Sequence, residues 1–435
     1  MIPLNIYSQD QQNESLWKDD ITKRNFKPIS GLLMRQLGLE NKNRGIKFVE
    51  TLESLREDPP NIVIAEAIRG VKFVQNWFKE QELKKKKRYV MGLGVFQQLY
   101  VDQRGGKILR PANIKFKNVY RPYIGQDADD CTLVVFRTGG IGDLLFIQPN
   151  LRYLKEMYDC EIKFACGPQY QPMVETWDCI DEVLDLPFTA ETLMKADYHM
   201  LFEGVIERCK EAETENAYRL FTKWLGLDLP DEKLIPKQEP KEDLVRNCEG
   251  ILKEWGILED GFILMQLRAS SPVRTPRHQF WVKIVDELTK RGYNIVLTDN
   301  PRQADNIEEF IKMCTNHDKI FNFCKYSASI DWTIALTSFA NMTLATDSAL
   351  GHIAASLDKK CFGIYGPFPG NIRLKTYPKA DWVDADRHCA PCFLHGHMPC
   401  KEASSDGYSP CYDELINTDE KLEGLINHIE EFLND

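Results

Sequence analysis

What this sequence lacks narrows its function before any motif is read. No apolar run approaches 18 residues, so a membrane-spanning helix is not expected. The opening residues, MIPLNIYSQDQQNES, have neither a basic start nor a long apolar core, so a secretory signal is not expected either. Positive charge is in deficit. With 65 acids against 55 bases the net charge is −10, which argues against a general nucleic-acid binder. A disulfide framework is also missing. The 13 cysteines are an odd number, and Cys131, Cys166, Cys314 and Cys361 stand singly in apolar stretches, as in a protein of the reducing cytoplasm. There is no G-x-G-x-x-G dinucleotide fingerprint, and no metal-binding D-x-D in a suitable loop.

What is present is a change of texture near residue 131. A chain of 435 residues has room for two or three domains. Residues 1–130 form an accessory region of α+β character with no legible chemistry. Helical patterns run over 46–56 and, after Pro59-Pro60, over 62–87. Strands are expected within 89–120, around a hairpin turn at 102–106. The run Lys84-Lys85-Lys86-Lys87-Arg88 reads as a solvated helix end, or else as a contact for an anionic acceptor or membrane surface.

From residue 131 onward strands alternate with helices. The first series has strands at 132–137, 161–166, 181–186 and 198–202, with helices at 144–158 and 217–227. A charged, proline-rich linker at 230–240 follows. The second series has strands at 262–267, 293–297, 320–323, 341–345 and 360–365. Helices at 279–291, 305–314, 330–338 and 350–357 separate them. Such alternation argues for parallel βαβ units. The expected fold is α/β: two doubly wound, Rossmann-like domains (131–236 and 237–411) facing a cleft, and a helix at 412–435 packing back on the first. Open α/β sheets bind ligands at the carboxyl ends of their strands.

Two stretches sit at such ends. The first strand runs into Gly139, Gly140 and Gly142, then Asp143 and a helix. Glycines permit a sharp turn and close approach. Asp143 falls at a helix start, where it is either a cap or a catalytic acid. The second stretch, Thr346-Asp347-Ser348 followed by Gly351-His352, is again strand, polar turn and helix. A helix start of this kind is a ready phosphate site, and the competing reading is an ordinary N-cap with a partly buried histidine. Gly366-Pro367 closes the next strand. A third loop leaves strand 262–267 through Arg268, Ser270, Ser271 and Arg274. Its short donors and planar cation suit a phosphate, or balance an acidic protein.

Together these stretches resemble the heptosyltransferase family, glycosyltransferase family 9, with its two-domain GT-B fold. The resemblance rests on Gly142-Asp143-Leu144-Leu145 with Pro149, on Thr346-Asp347-Ser348 with His352, and on Gly366-Pro367. It covers roughly residues 132–414. It implies that Asp143 is the general base beside the acceptor hydroxyl. It implies that Arg268, Ser270, Ser271, Arg274, Thr346, Asp347, Ser348, Gly351, His352 and Gly366 bind the donor. Ala349 stands where the family has glycine. The implied reaction is an inverting transfer of a heptose-like sugar from a nucleotide-diphosphate sugar, with an ADP-sugar favoured and no cofactor required. Saccharides or other hydroxyl compounds would be the acceptors, and peripheral membrane contact is compatible with it. Competing readings are a non-catalytic nucleotide-sugar-binding protein of the same fold and a sugar-nucleotide epimerase. The epimerase would need two acids where one good candidate is visible.

Residues 388–411 hold four cysteines, Cys389, Cys392, Cys400 and Cys411, among three histidines. C-x-x-C with further cysteines is zinc-ligand spacing. The expectation is a structural zinc or a set of buried free thiols packing a loop.

Overall fold

A computed structural model of the chain describes residues 52–53, 62–66, 88–92, 110–111, 121–138, 140–186, 188–394, 400, 402–403 and 408–435. Two compact units divide the chain: Met1–Gly139 with Asn150–Leu229, and Gly140–Pro149 with Pro230–Asp435.

The first unit contains two sheets. β1 (Ile62–Glu66), β2 (Arg88–Gly92) and β3 (Arg110–Pro111) belong to an antiparallel one. The helix expected over 62–87 is therefore wrong at its start. The β-branched Ile-Val-Ile run prefers a pleated strand, and β2 pairs with it from Ile62↔Gly92 to Glu66↔Arg88. Residues 67–87 and the expected hairpin at 102–106 lie outside the described residues.

The second sheet of this unit is parallel. β4 (Thr132–Phe136) leads into α1 (Ile141–Met157), and β5 (Glu161–Ala165) and β6 (Glu182–Leu184) follow. β7 (Phe188–Thr189) joins the antiparallel sheet beside β2, and β8 (Tyr198–Leu201) returns to the parallel one. The parallel order is β6-β5-β4-β8. Four of the five β4 residues are buried, as an apolar parallel strand requires. α2 (Ala217–Trp224) buries its aromatic stripe there: Trp224 Nε1 donates to the Leu201 carbonyl at 3.0 Å, and Phe221 meets Phe202 edge-on.

The second unit begins with α3 (Glu242–Glu254) and β9 (Ile263–Gln266), followed by α4 (His278–Lys290). β10 (Ile295–Leu297), α5 (Ala304–Met313), β11 (Ile320–Asn322) and α6 (Ile330–Thr337) come next. β12 (Met342–Thr346), α7 (Ala349–Ser356), β13 (Lys360–Tyr365), β14 (Ala380–Asp384) and α8 (Asp419–Asn434) complete it. All six strands are parallel, in the order β11-β10-β9-β12-β13-β14. This is the doubly wound order, which reverses direction between β9 and β12. Both parallel sheets were thus legible as alternating patterns. β14 and α3 were not: β14 is a half-exposed edge strand with two acids, and α3 follows directly on the linker.

The last helix corrects an expectation. α8 spends its apolar face, Leu425, Ile426 and Ile429, in the second unit's core with Ile263, Trp281 and Phe362. Arg291 pairs with Glu423 and Glu430 on α8, and Lys360 Nζ donates to the Phe432 carbonyl at 2.8 Å. A helix with one apolar stripe packs where a matching face is open, and here that face belongs to the second sheet.

Candidate functional site

The reversal of strand order in the second sheet fixes where a ligand belongs, in the crevice beyond the carboxyl ends of β9 and β12. The loop after β9 carries Arg268, Ser270, Ser271 and Arg274, and the turn after β12 carries Asp347 and Ser348. The structure brings these loops together. Arg274 Nη1 donates to the Asp347 carbonyl at 2.9 Å and to Asp347 Oδ2 at 3.0 Å, while Nη2 donates to Ser270 Oγ at 2.7 Å. Both members of the pair are buried, Arg274 at 8% and Asp347 at 4% exposure. The expected phosphate grip is therefore not a loose basic loop. Arg274 is fixed by a charged partner before any ligand arrives.

A second cation, missed by sequence reasoning, shares that partner. Arg373 Nε lies 3.2 Å from Asp347 Oδ1, and its guanidinium stacks 4.3 Å from the Phe368 ring centroid. Two arginines around one carboxylate leave the crevice with surplus positive charge. Only its place after Gly366-Pro367 could have signalled Arg373, and that is weak.

Several polar atoms of this edge are buried without a hydrogen-bond partner: Thr346 Oγ1, Ser348 Oγ and Arg274 Nε. At the end of β10, Thr298 Oγ1 and Asp299 Oδ2 are in the same condition. Burying such atoms unpaired is costly, so each calls for a water or another polar partner at this edge. Burial pushes the Asp299 carboxyl up, against the opposing pull of the Asn300 backbone N–H and of Arg268. Ser348 caps α7 with extended backbone, so the first N–H groups of that helix point out of its end. Ser271 is buried, Ser270 exposed, and Gly351 lies in α7.

His352 lies one turn into α7 and is 4% exposed. Burial drives its pKa down to about 3, so the ring is neutral at physiological pH. Its Nδ1 is 3.0 Å from the Tyr377 hydroxyl. Phe146 of α1, in the part of that helix belonging to the second unit, meets the His352 ring edge-on at 4.6 Å. A Cβ on Gly142 would come within 3.1 Å of the same ring, so glycine there permits the close approach.

Asp143 is the third residue of α1, in its first turn and half-buried. Its carboxylate folds over Gly140, whose φ is +81°. A side chain on Gly140 would collide with that carboxylate, so glycine is required twice over, by conformation and by space. Gly139 lies outside the described residues. At the reversal of the first sheet, between β4 and β8, the Thr138 hydroxyl donates to Glu203 Oε1 at 2.5 Å, and the Thr138 N–H donates to the same oxygen. Glu203 was not anticipated; it stands just past a strand end, with no motif around it.

Gly366 packs against the cysteine-rich segment, and a Cβ there would come within 2.8 Å of Cys411 Sγ. Cys389, Cys392, Cys400 and Cys411 line one small pocket with Val273 and Gly366. Burial pushes the Cys411 thiol up to about 12. Among the described residues, the ligand atoms that gather within 4.8 Å of one another belong to His388, Cys389 and Glu402, not to the four thiols. Glu402 is held there by Arg387 and His388.

Residues 201–401 match the model of glycosyltransferase family 9 (heptosyltransferase). No curated protein matches the chain. Among solved structures it is similar to a family 9 glycosyl transferase from Veillonella parvula, at 14% identity and a TM-score of 0.54, over 71% of this chain and 98% of that one. It is also similar to the ADP-heptose lipopolysaccharide heptosyltransferase II of E. coli, at 14% identity and a TM-score of 0.49, over 70% and 98%. A third is the iron-containing dodecameric glycosyltransferase TibC of enterotoxigenic E. coli, at 12% identity and a TM-score of 0.48, over 80% and 84%. Likeness at such identities speaks for fold alone. With the family match over 201–401 and the two parallel-sheet units, the chain resembles the heptosyltransferase-like glycosyltransferases of family 9 and shares their fold.

Proposed function

We propose that the chain transfers a heptose-like sugar, with inversion, from a nucleotide-diphosphate sugar to an acceptor hydroxyl. The observation that carries this reading is the row of buried, unpartnered polar atoms at the carboxyl edge of the second sheet, set around the Arg274–Asp347–Arg373 cluster. A diphosphate offers the acceptor oxygens that Arg274 Nε and Ser348 Oγ lack, and surplus positive charge favours it. In this account Asp143 takes the proton of the acceptor hydroxyl as that oxygen attacks the anomeric carbon. Arg274, Ser270, Ser271 and the start of α7 stabilise the leaving diphosphate. Arg268, Thr346, Gly351, His352 and Gly366 shape the donor side, and Gly140 and Gly142 shape the turn that carries the base.

The donor we favour is an ADP-sugar, and the acceptor a saccharide or another hydroxyl compound. No metal or other cofactor takes part in the chemistry of this account. The soft donors Cys389, Cys392, Cys400 and Cys411, which line one pocket, are the ligands proposed for a structural zinc or another thiophilic metal, and binding it would have to draw the four thiols together. Among the described residues no helix is long and apolar enough to cross a membrane, and a cytoplasmic location is part of the proposal. Calorimetric titration with a panel of ADP-, GDP- and UDP-sugars tests it. One member should bind and, with an acceptor, release the nucleoside diphosphate. Binding of none would contradict the reading.

A further inference from the structure

The cysteine-rich segment touches no step of the proposed chemistry, yet its end is fastened to the donor loop. The Tyr412 hydroxyl donates to the Arg274 carbonyl at 3.2 Å, and Ser409 Oγ donates to the Val273 carbonyl at 2.9 Å. Both bonds are buried. Arg277 Nη2, one turn further along the donor loop, lies 3.0 Å from Asp413 Oδ2. Three attachments thus run from residues 409–413 to residues 273–277, the stretch that presents the Arg274 guanidinium to Asp347. The Tyr412 ring is wholly buried in the second unit's core, so its hydroxyl is held by a rigid base. On the other side of the same segment, Cys411 closes the pocket that holds Cys389, Cys392 and Cys400 and that Val273 also lines.

We propose that residues 409–413 are a brace that positions the donor loop, with Tyr412 and Ser409 as positioning residues. The inference rests on the donor reading above and adds a task for the segment which that reading leaves without one. A carbonyl held from behind fixes the peptide planes of the Pro272–Arg274 turn, and with them the direction from which Arg274 leaves the backbone. Loss of one such bond loosens the loop without removing any group that meets the ligand.

The test uses the full chain with Tyr412→Phe, Ser409→Ala and the double variant. The phenylalanine keeps the buried ring and removes only the hydroxyl. The measurements are the dissociation constant of ADP, donor KM against kcat, melting temperature, and hydrogen exchange of residues 268–277. One neutral hydrogen bond corresponds to roughly a 3–10-fold weakening of ADP binding per variant. Donor KM should rise in step, with kcat and acceptor KM unchanged and faster exchange confined to the donor loop. Unaltered ADP affinity and loop exchange beside a lowered melting temperature would overturn the brace and make both bonds simple core contacts. Failure of wild-type protein to bind any of ADP, GDP or UDP would overturn the donor reading itself, and the brace with it.

Discussion

Arg274 and Asp347 form a buried ion pair, 3.0 Å from Nη1 to Oδ2, across the point where the second sheet reverses its strand order. The two residues come from loops that follow neighbouring parallel strands, β9 and β12. In the proposed account, fixing Arg274 in advance would let it meet a diphosphate without first giving up its own freedom, which is where preorganised sites gain their strength.

Replacing Arg274 by alanine should therefore do two things. Breaking a buried pair costs about 3 kcal/mol of stability when, as here, Arg373 still holds the remaining carboxylate. Loss of a charged hydrogen bond to phosphate should weaken nucleoside-diphosphate binding roughly 10–100-fold. Urea unfolding and calorimetry measure the two effects separately. A fall in stability with unchanged nucleotide affinity would make Arg274 a structural residue only.

Stability should fall as the solution is acidified through the range below about pH 6.5. Burial holds His352 down to about 3 and His199 down to about 4, both well below the ordinary imidazole value of about 6.5. The unfolded chain therefore binds protons that the folded chain refuses. The contribution is fully present above the unfolded value and is lost as pH falls toward the folded ones, at about 1.4 kcal/mol per pH unit for each histidine. Ordinary carboxylates titrate lower, so between about pH 5 and 6.5 the two buried histidines dominate, against the opposite contribution of the raised carboxyls of Asp299 and Asp384. Urea midpoints that stay level across it would contradict the burial argument.

Purified protein should carry about one equivalent of zinc or another thiophilic metal if the four thiols form a structural site. Elemental analysis after exhaustive dialysis decides this. A metal-free protein that melts normally would leave the thiols as packing groups.

The sequence made the architecture legible because a parallel strand buried on both faces is a short apolar run, and such runs alternate here with helical patterns. The carboxyl-edge turns were readable for the same reason, since Gly140, Asp143, Asp347 and Ser348 interrupt that alternation with glycine and short polar groups. What could not be read were partners chosen by tertiary packing. Arg373 reaches Asp347 only because β13 lies beside β12, and no spacing announces it. Ile62–Glu66 fits a helical pattern as well as a strand, and pairing with β2 decides between them. The docking of α8 was misjudged because its apolar stripe states that it packs, not where.

The most direct test is Asp143→Asn, which keeps the shape and hydrogen bonding of the first turn of α1 while removing the proposed base. With an identified donor and acceptor, donor affinity should stay at the wild-type value while the transfer rate falls by about 10²–10⁴-fold. An unchanged transfer rate would show that Asp143 is a helix-start carboxylate and nothing more, and would contradict the catalytic account.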